Sequence, residues 1–427
     1  MRLLFVTPSY APMLGGGEHY VQALAEELAR RGHALTVVTS AIARQQDFWA
    51  GCTVASGQAI TVGNGVTVMR LPVRAAPFGR TGQLAERKAM VLAATLLGPV
   101  TEPLLTRCSR AFPGILGLDE ALAQGPRPDL VHTFNISWER CLLAGHALAQ
   151  SRGIPHVVTP FLHVGAPGQR RVWRNSAMPQ QRRVLFSARA VLALSAAERE
   201  GLLSLGVGAK AAHVVGAAVA PPSEQHLAAD PTLVARLARF GHPLILFLGR
   251  VDRDKGALTA MRAVAALNSQ GVPCQLALAG QPSSEASRLA RRLCQTGAPL
   301  HLLGAVSEGA KQWLLQHCSA LVLPSRVESF GLVLLEAWQH GKPVVAADMG
   351  GPQSLVRPGE DGLLTPWGDV SALAAALKTL LTDPAYARQM GEAGRLKAAR
   401  AFTWPQVADR VEAVYRAVLA RPSGELA

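Results

Sequence analysis

The sequence predicts an α/β protein of two domains, each a parallel sheet flanked by helices. Three observations carry that expectation. Short apolar runs without alternation, such as Leu3–Val6 and Leu244–Leu248, suit strands covered on both faces. Segments with apolar residues at helical spacing lie between these runs, so strand and helix alternate along the chain. A chain of 427 residues, 49% hydrophobic and 17% charged, is too long for one ordinary core and suits two domains of roughly 200 residues each.

The first half opens with a strand at Leu3–Val6 and a loop, Thr7–Gly17, that holds Pro8, Pro12 and the triplet Gly15, Gly16, Gly17. A helix is expected from near Glu18, because Val21, Leu24, Ala25 and Leu28 form one stripe and Gly32 ends it. Leu35–Thr39 is the next strand. The glycine triplet is not G-x-G-x-x-G, and no acidic residue closes the second strand at Thr39 or Ser40, so a nicotinamide cofactor is not expected. The glycines instead suit close backbone approach to a ligand. Residues 41–128 are irregular, with a hairpin near Gly63–Gly65 and one or two helices between Gly82 and Leu122. Strands follow at Asp129–Thr133 and His156–Thr159, which would set His132 and His163 past strand ends as a polar cluster. Val191–Leu194 is a further strand, Ser195 and Glu198 have capping-box spacing, and Val214–Val219 completes the first sheet. Pro221, Pro222 and Ser223 read as the linker.

In the second half, Leu244–Leu248 runs into GRVDRDKG and a helix from Gly256 to Leu267. Arg250 and Lys255 thus stand at the carboxyl end of a strand and beside a helix start, where charge and backbone N–H groups hold a diphosphate. Strands at Gln275–Ala279 and His301–Leu303 alternate with helices at Ser284–Gln295 and Glu308–His317. From Ala320 to Gly351 the chain reads strand, loop, helix, loop, strand, with Glu328 and Glu336 near the end of a buried strand. The N–H groups of Phe330, Gly331 and Leu332 would face an anion, while two carboxylates there would accept from hydroxyls. Anion plus hydroxyls describes a nucleoside diphosphate with its ribose or sugar. Asp252 and Asp254 spell D-x-D, a metal-holding pattern, but Arg250 and Lys255 supply the charge a metal would, so none is expected.

The net charge of +14 comes from 43 Lys and Arg against 29 Asp and Glu. With 5% aromatic residues, no zinc spacing and no basic helix interleaved with aromatics, nucleic acid is not the expected partner. The segment Gln169–Arg183 carries Arg170, Arg171, Arg174, Arg182 and Arg183 around Trp173, suited to an anionic membrane or an acidic acceptor as well as to a solvated helix face. Six dispersed cysteines without a CxxC pair fit a reducing compartment. A strand from Arg2 leaves no room for a signal peptide, and the longest apolar run, Ala89–Val100, is interrupted by Gly98 and Pro99. A cytoplasmic location is expected, with contact at the inner face of the membrane.

Taken together, the chain resembles a family 4 glycosyltransferase of the GT-B fold over nearly its whole length, most strongly from Leu244 to Pro366. Arg250 and Lys255 have the spacing of that family's diphosphate-binding pair. Glu328 and Glu336, with seven residues between, match its two glutamates, the first near the donor sugar and the second on the ribose. Ser329 stands where the family usually has glycine in E-G-F-G, and the I-P-N-G-V-D linker signature is replaced by VGAAVA from Val215 to Ala220. The resemblance implies two facing Rossmann-like domains: 1–219 for the acceptor, joined by a returning C-terminal helix at 404–420, and 220–403 for the sugar nucleotide. It implies a catalytic set of Arg250, Lys255, Glu328 and His163. The donor set is Gly15, Gly16, Gly249, Arg250, Lys255, Val306, Glu328, Phe330, Gly331, Leu332 and Glu336. The expected activity is retaining, metal-independent transfer from a UDP-, GDP- or ADP-sugar to a glycan or lipid-linked hydroxyl, with no cofactor, in bacterial cell-surface glycan or glycolipid synthesis. The alternatives are a sugar-nucleotide epimerase or hydrolase on the same fold, and a non-catalytic membrane-associated subunit.

Overall fold

The computed structural model describes residues 1–13, 15–54, 59–163, 174–221, 241 and 243–420. The chain forms two compact units. One takes the described residues up to His163, those from Arg174 to Gly216 and the terminal helix Trp404–Ala420; the other takes Ala217–Thr403.

The first unit is built on an eight-stranded sheet. Its strands are β1 (Arg2–Val6), β2 (Ala34–Ser40), β3 (Ala59–Gly63), β4 (Val66–Leu71), β7 (Leu130–Phe134), β8 (His156–Thr159), β9 (Ala190–Ala193) and β10 (Ala212–Val214), while β5 (Val73–Arg74) and β6 (Gly114–Ile115) form a separate ribbon. The order is β10-β9-β8-β7-β1-β2-β4-β3. All neighbours run parallel except β3, which pairs antiparallel with β4 through the predicted hairpin. Asn64 and Gly65 both take positive φ there, as a two-residue hairpin turn requires. The helix Gly16–Arg30 buries Tyr20, Val21, Leu24, Ala25 and Leu28, the face expected from the spacing.

Three expectations are corrected in this unit. The first helix starts at Gly16 rather than Glu18, so the glycine triplet is its cap and first turn. The last strand is Ala212–Val214 rather than Val214–Val219, because Gly216 takes φ +77 just after Val215 donates to Ala193 O. His132 is not past a strand end. It lies inside β7, fully buried, with Nδ1 2.6 Å from Tyr415 Oη and Nε2 2.8 Å from Thr159 Oγ1. Those bonds tie the strand to the helix Trp404–Ala420, which also joins Arg31 to Asp409 at 2.6 Å and His33 to Glu412 at 2.8 Å.

The second unit is a six-stranded parallel sheet, β13-β12-β11-β14-β15-β16. The strands are β11 (Leu244–Leu248), β12 (Gln275–Ala279), β13 (Leu300–Gly304), β14 (Ala320–Leu323), β15 (Val344–Ala347) and β16 (Gly362–Thr365). Phe247, Met261, Leu276, Val322 and Val345 lie in its core. The strand β16 and the helices Val370–Thr382 and Pro384–Ala401 were not assigned from the sequence.

Candidate active site

The order of strands in the second unit sets the site. From β11 the sheet grows one way through β12 and β13, and from β14 the other way through β15 and β16, so the loops after β11 and β14 leave a crevice at their carboxyl ends. Gly256, at φ +78, brings these loops together: a Cβ there would overlap the carbonyl of Pro324. The approach sets Lys255 Nζ 2.7 Å from Glu328 Oε2 and 3.3 Å from Val327 O. The Lys255 amide donates to Asp252 Oδ1 at 2.8 Å, and Arg250 lies 2.9 Å from Asp252 Oδ2 with a largely exposed side chain. Asp254 pairs with Arg326. The two acids of the D-x-D pattern therefore serve different partners.

The Glu328 loop rests on Gly350 and Gly351. The Gly351 amide donates to Glu328 O at 2.9 Å, and a Cβ on Gly351 would stand 2.5 Å from Phe330 N. Phe330 is buried, its ring 5.8 Å from that of Phe402. Gly331, at φ +100, caps the helix Leu332–Gln339 without any side-chain bond, and the Leu334 amide donates to Gly331 O at 2.9 Å. Glu336, one turn further, does not meet Arg250 or Lys255. Its Oε1 lies 2.8 Å from Lys311 Nζ, which is also 3.0 Å from Glu308. Burial alone would lower the Lys311 pKa, but attraction to Glu336 and Glu308 outweighs it and holds the group above its ordinary value. Gly249 follows β11 directly, its amide 3.0 Å from Ala279 O, and Val306 precedes Ser307, the N-cap of Glu308–His317.

Lys311, Gly350 and Gly351 were missed as site residues. The signals were present: an N-capped Ser307-Glu308-x-x-Lys311 helix start, and a glycine pair following β15.

In the first unit the corresponding reversal lies between β1 and β7. Gly15 caps Gly16–Arg30 in extended conformation, and Ser9 Oγ donates to Glu18 Oε1 at 2.5 Å. A Cβ on Gly17 would come within 3.3 Å of the Phe161 ring. His163, half-buried, follows β8 on the segment Pro160–His163. That segment is clasped by Glu198, whose Oε1 accepts from Leu162 N at 2.6 Å and whose Oε2 accepts from Leu194 N at 2.7 Å. Only half of the expected capping box forms, Glu198 N to Ser195 Oγ at 3.1 Å, because the carboxylate reaches these other amides. Burial pushes the Glu198 carboxyl up to about 7, against the backbone bonds, which lower it.

Beside the ends of β2 and β7 lies a cavity of about 310 Å³, lined by Trp49, Met90, Phe112 and Trp138, with Arg87 and Glu139 paired at its wall. Trp138 stacks on Phe48 at 4.1 Å. Gln181 Nε2 donates to Glu139 Oε1 at 2.7 Å, so the buried acid has two partners. Of the basic segment, residues 169–173 lie outside the described residues; Arg174, Arg182 and Arg183 are exposed.

The second unit thus sets a lysine–glutamate pair beside a helix start that has no side-chain cap, at the reversal point of a parallel sheet, where ligands of such sheets bind. The family described as Glycosyl transferases group 1 matches residues 235–397, and the one described as Glycosyl transferase 4-like domain matches residues 15–218. D-inositol 3-phosphate glycosyltransferase 1 of Catenulispora acidiphila is 30% identical over 332 residues, 72% of this chain and 77% of that one. Glycogen synthase of Mycobacterium tuberculosis is 28% identical over 435 residues, 98% of this chain and 95% of the other. Among solved structures, Anabaena HepE in complex with UDP-glucose superimposes with a TM-score of 0.67 at 18% identity, covering 98% of this chain and 100% of that one. The chain belongs to the family 4-type glycosyltransferases of the GT-B fold and is a sugar-nucleotide-dependent glycosyltransferase.

Proposed function

We propose that the chain transfers a hexose from a nucleoside diphosphate sugar to an acceptor hydroxyl with retention at the anomeric carbon and without a metal or other cofactor. The observation that carries this reading is the Lys255–Glu328 pair at 2.7 Å beside the uncapped start of Leu332–Gln339. As the bond from the anomeric carbon to the β-phosphate oxygen breaks, negative charge gathers on that phosphate. Lys255, Arg250 and the first-turn amides would stabilise it. The new bond forms on the face the phosphate leaves, and the acceptor's proton passes to a phosphate oxygen. Glu328 would orient the sugar and Glu336 the ribose hydroxyls. In the first unit, the aromatic cavity would take the acceptor.

The setting proposed is cytoplasmic synthesis of a cell-surface glycan or glycolipid, with the exposed arginines of the first unit meeting an anionic membrane. HepE was solved with UDP-glucose, which places UDP-sugars first among the donors to test. Thermal shift with UDP-, GDP- and ADP-sugars reports binding to the native state. Product analysis with the stabilising donor then separates transfer from release or rearrangement. Stabilisation by none of these donors would overturn the proposal.

A further inference from the structure

Most soluble units bury their large apolar side chains, yet the segment Gly79–Ala111 presents a row of them to solvent. The helix Gly79–Leu97 ends at Gly98, φ +64, and a turn leads into Glu102–Ala111. Leu92 is 58% exposed, Leu96 71%, Leu97 63%, Val100 77% and Leu104 61%. The opposite face is held: Met90 and Leu105 are buried with Met178, and Arg87 pairs with Glu139. By length and composition the segment is apolar enough to cross a membrane. These anchors and the break at Gly98 keep it on the unit instead.

The charge around the apolar row has one dominant sign. From Gly79 to Ala111 there are five basic residues, Arg80, Arg87, Lys88, Arg107 and Arg110, against two acidic ones, Glu86 and Glu102. Lys88 lies one turn from Leu92, and Arg107 one turn from Leu104, both exposed. Glu102 is paired at 2.9 Å with Arg183 of the helix Pro179–Ser187, on which Arg182 is also exposed. An apolar apex rimmed by cations is complementary to a bilayer interface with anionic headgroups: the leucines enter the acyl boundary while the basic side chains stay at the phosphates.

We propose that the apex Leu92–Leu104 inserts into the surface of an anionic bilayer and docks the protein there. This rests on the membrane contact proposed above and names the element that makes it. The test is flotation of the full-length protein with phosphatidylcholine vesicles, with and without phosphatidylglycerol, for wild type, Leu96→Glu/Val100→Glu and Arg107→Glu/Arg182→Glu. Wild type should float with the anionic vesicles, and each double variant should lose on the order of tenfold or more in partition. Transfer to a water-soluble acceptor and thermal unfolding should stay at the wild-type level, because the altered side chains are exposed. If the Leu96→Glu/Val100→Glu protein floats like wild type while the charge variant does not, membrane contact is purely electrostatic and the apex proposal fails. No flotation of wild type overturns both. Concentration-dependent dimers that disappear in the Leu96→Glu/Val100→Glu variant, without flotation, would make the face a protein interface and overturn the proposal.

Discussion

Replacing Lys255 by alanine removes a cation that, with Arg326, joins the loops after β11 and β14. Its Nζ is 2.7 Å from Glu328 Oε2, and the two side chains are 21% and 16% exposed. Breaking a fully buried pair costs about 3–5 kcal/mol, and the exposure here brings the expected stability loss to about 2 kcal/mol. A domain stable by about 5–15 kcal/mol survives that, so kinetics can be read on folded protein. Loss of one preorganised group facing transition-state charge costs about 2.7–4 kcal/mol, or roughly a hundred- to a thousandfold in kcat. Steady-state transfer should therefore show kcat down by about that factor and KM for the donor changed far less. Lys255→Arg, measured beside it with thermal unfolding of both, should recover part of the rate. Turnover of Lys255→Ala within about threefold of wild type would refute the role of Lys255 at the leaving phosphate.

Other outcomes follow from the same geometry. Glu336→Ala should raise the donor KM about tenfold or more while kcat holds, and an unchanged KM would remove Glu336 from the ribose. Gly351→Ala forces a Cβ 2.5 Å from Phe330 N, so it should lower both stability, by about 1–3 kcal/mol, and kcat; a wild-type rate would show that the Glu328 loop can shift without harm. Transfer should persist in excess EDTA, and loss restored by Mn²⁺ would bring back Asp252 and Asp254 as metal ligands. Burial pushes His146 down to about 4 and His156 to about 3, and holds His132 well below its ordinary 6.5. Because these pKa values lie below the unfolded value, their stability contribution is present above about pH 6.5 and is lost as pH falls toward them. Burial raises Glu198 to about 7 and also raises Glu139, so these acids act the opposite way, costing stability as pH rises through the same range. With four histidines shifted down, His340 among them, thermal unfolding should move to lower temperature between about pH 7 and 4; a flat or rising midpoint would contradict it.

Local pattern alone determined a good deal. Unbroken apolar runs marked β1, β11, β14 and β15, because a strand covered on both faces leaves no room for alternation. The residues after β11 and β14 carried the spacing from which Arg250, Lys255, Glu328 and Glu336 were chosen. What the linear pattern could not show was pairing across the chain. Lys255 meets Glu328 because β11 and β14 are neighbours and Gly256 admits the Pro324 carbonyl, and Glu336 meets Lys311 because two helices converge. His132 looked like a polar residue at a strand end. It is a buried anchor, since the helix that covers it returns from residues 404–420 and brings the Tyr415 hydroxyl within 2.6 Å. Residue type and period act over a few positions and are visible in sequence. The partner that completes a buried polar or charged group comes from a distant segment, and only the packed chain decides which one.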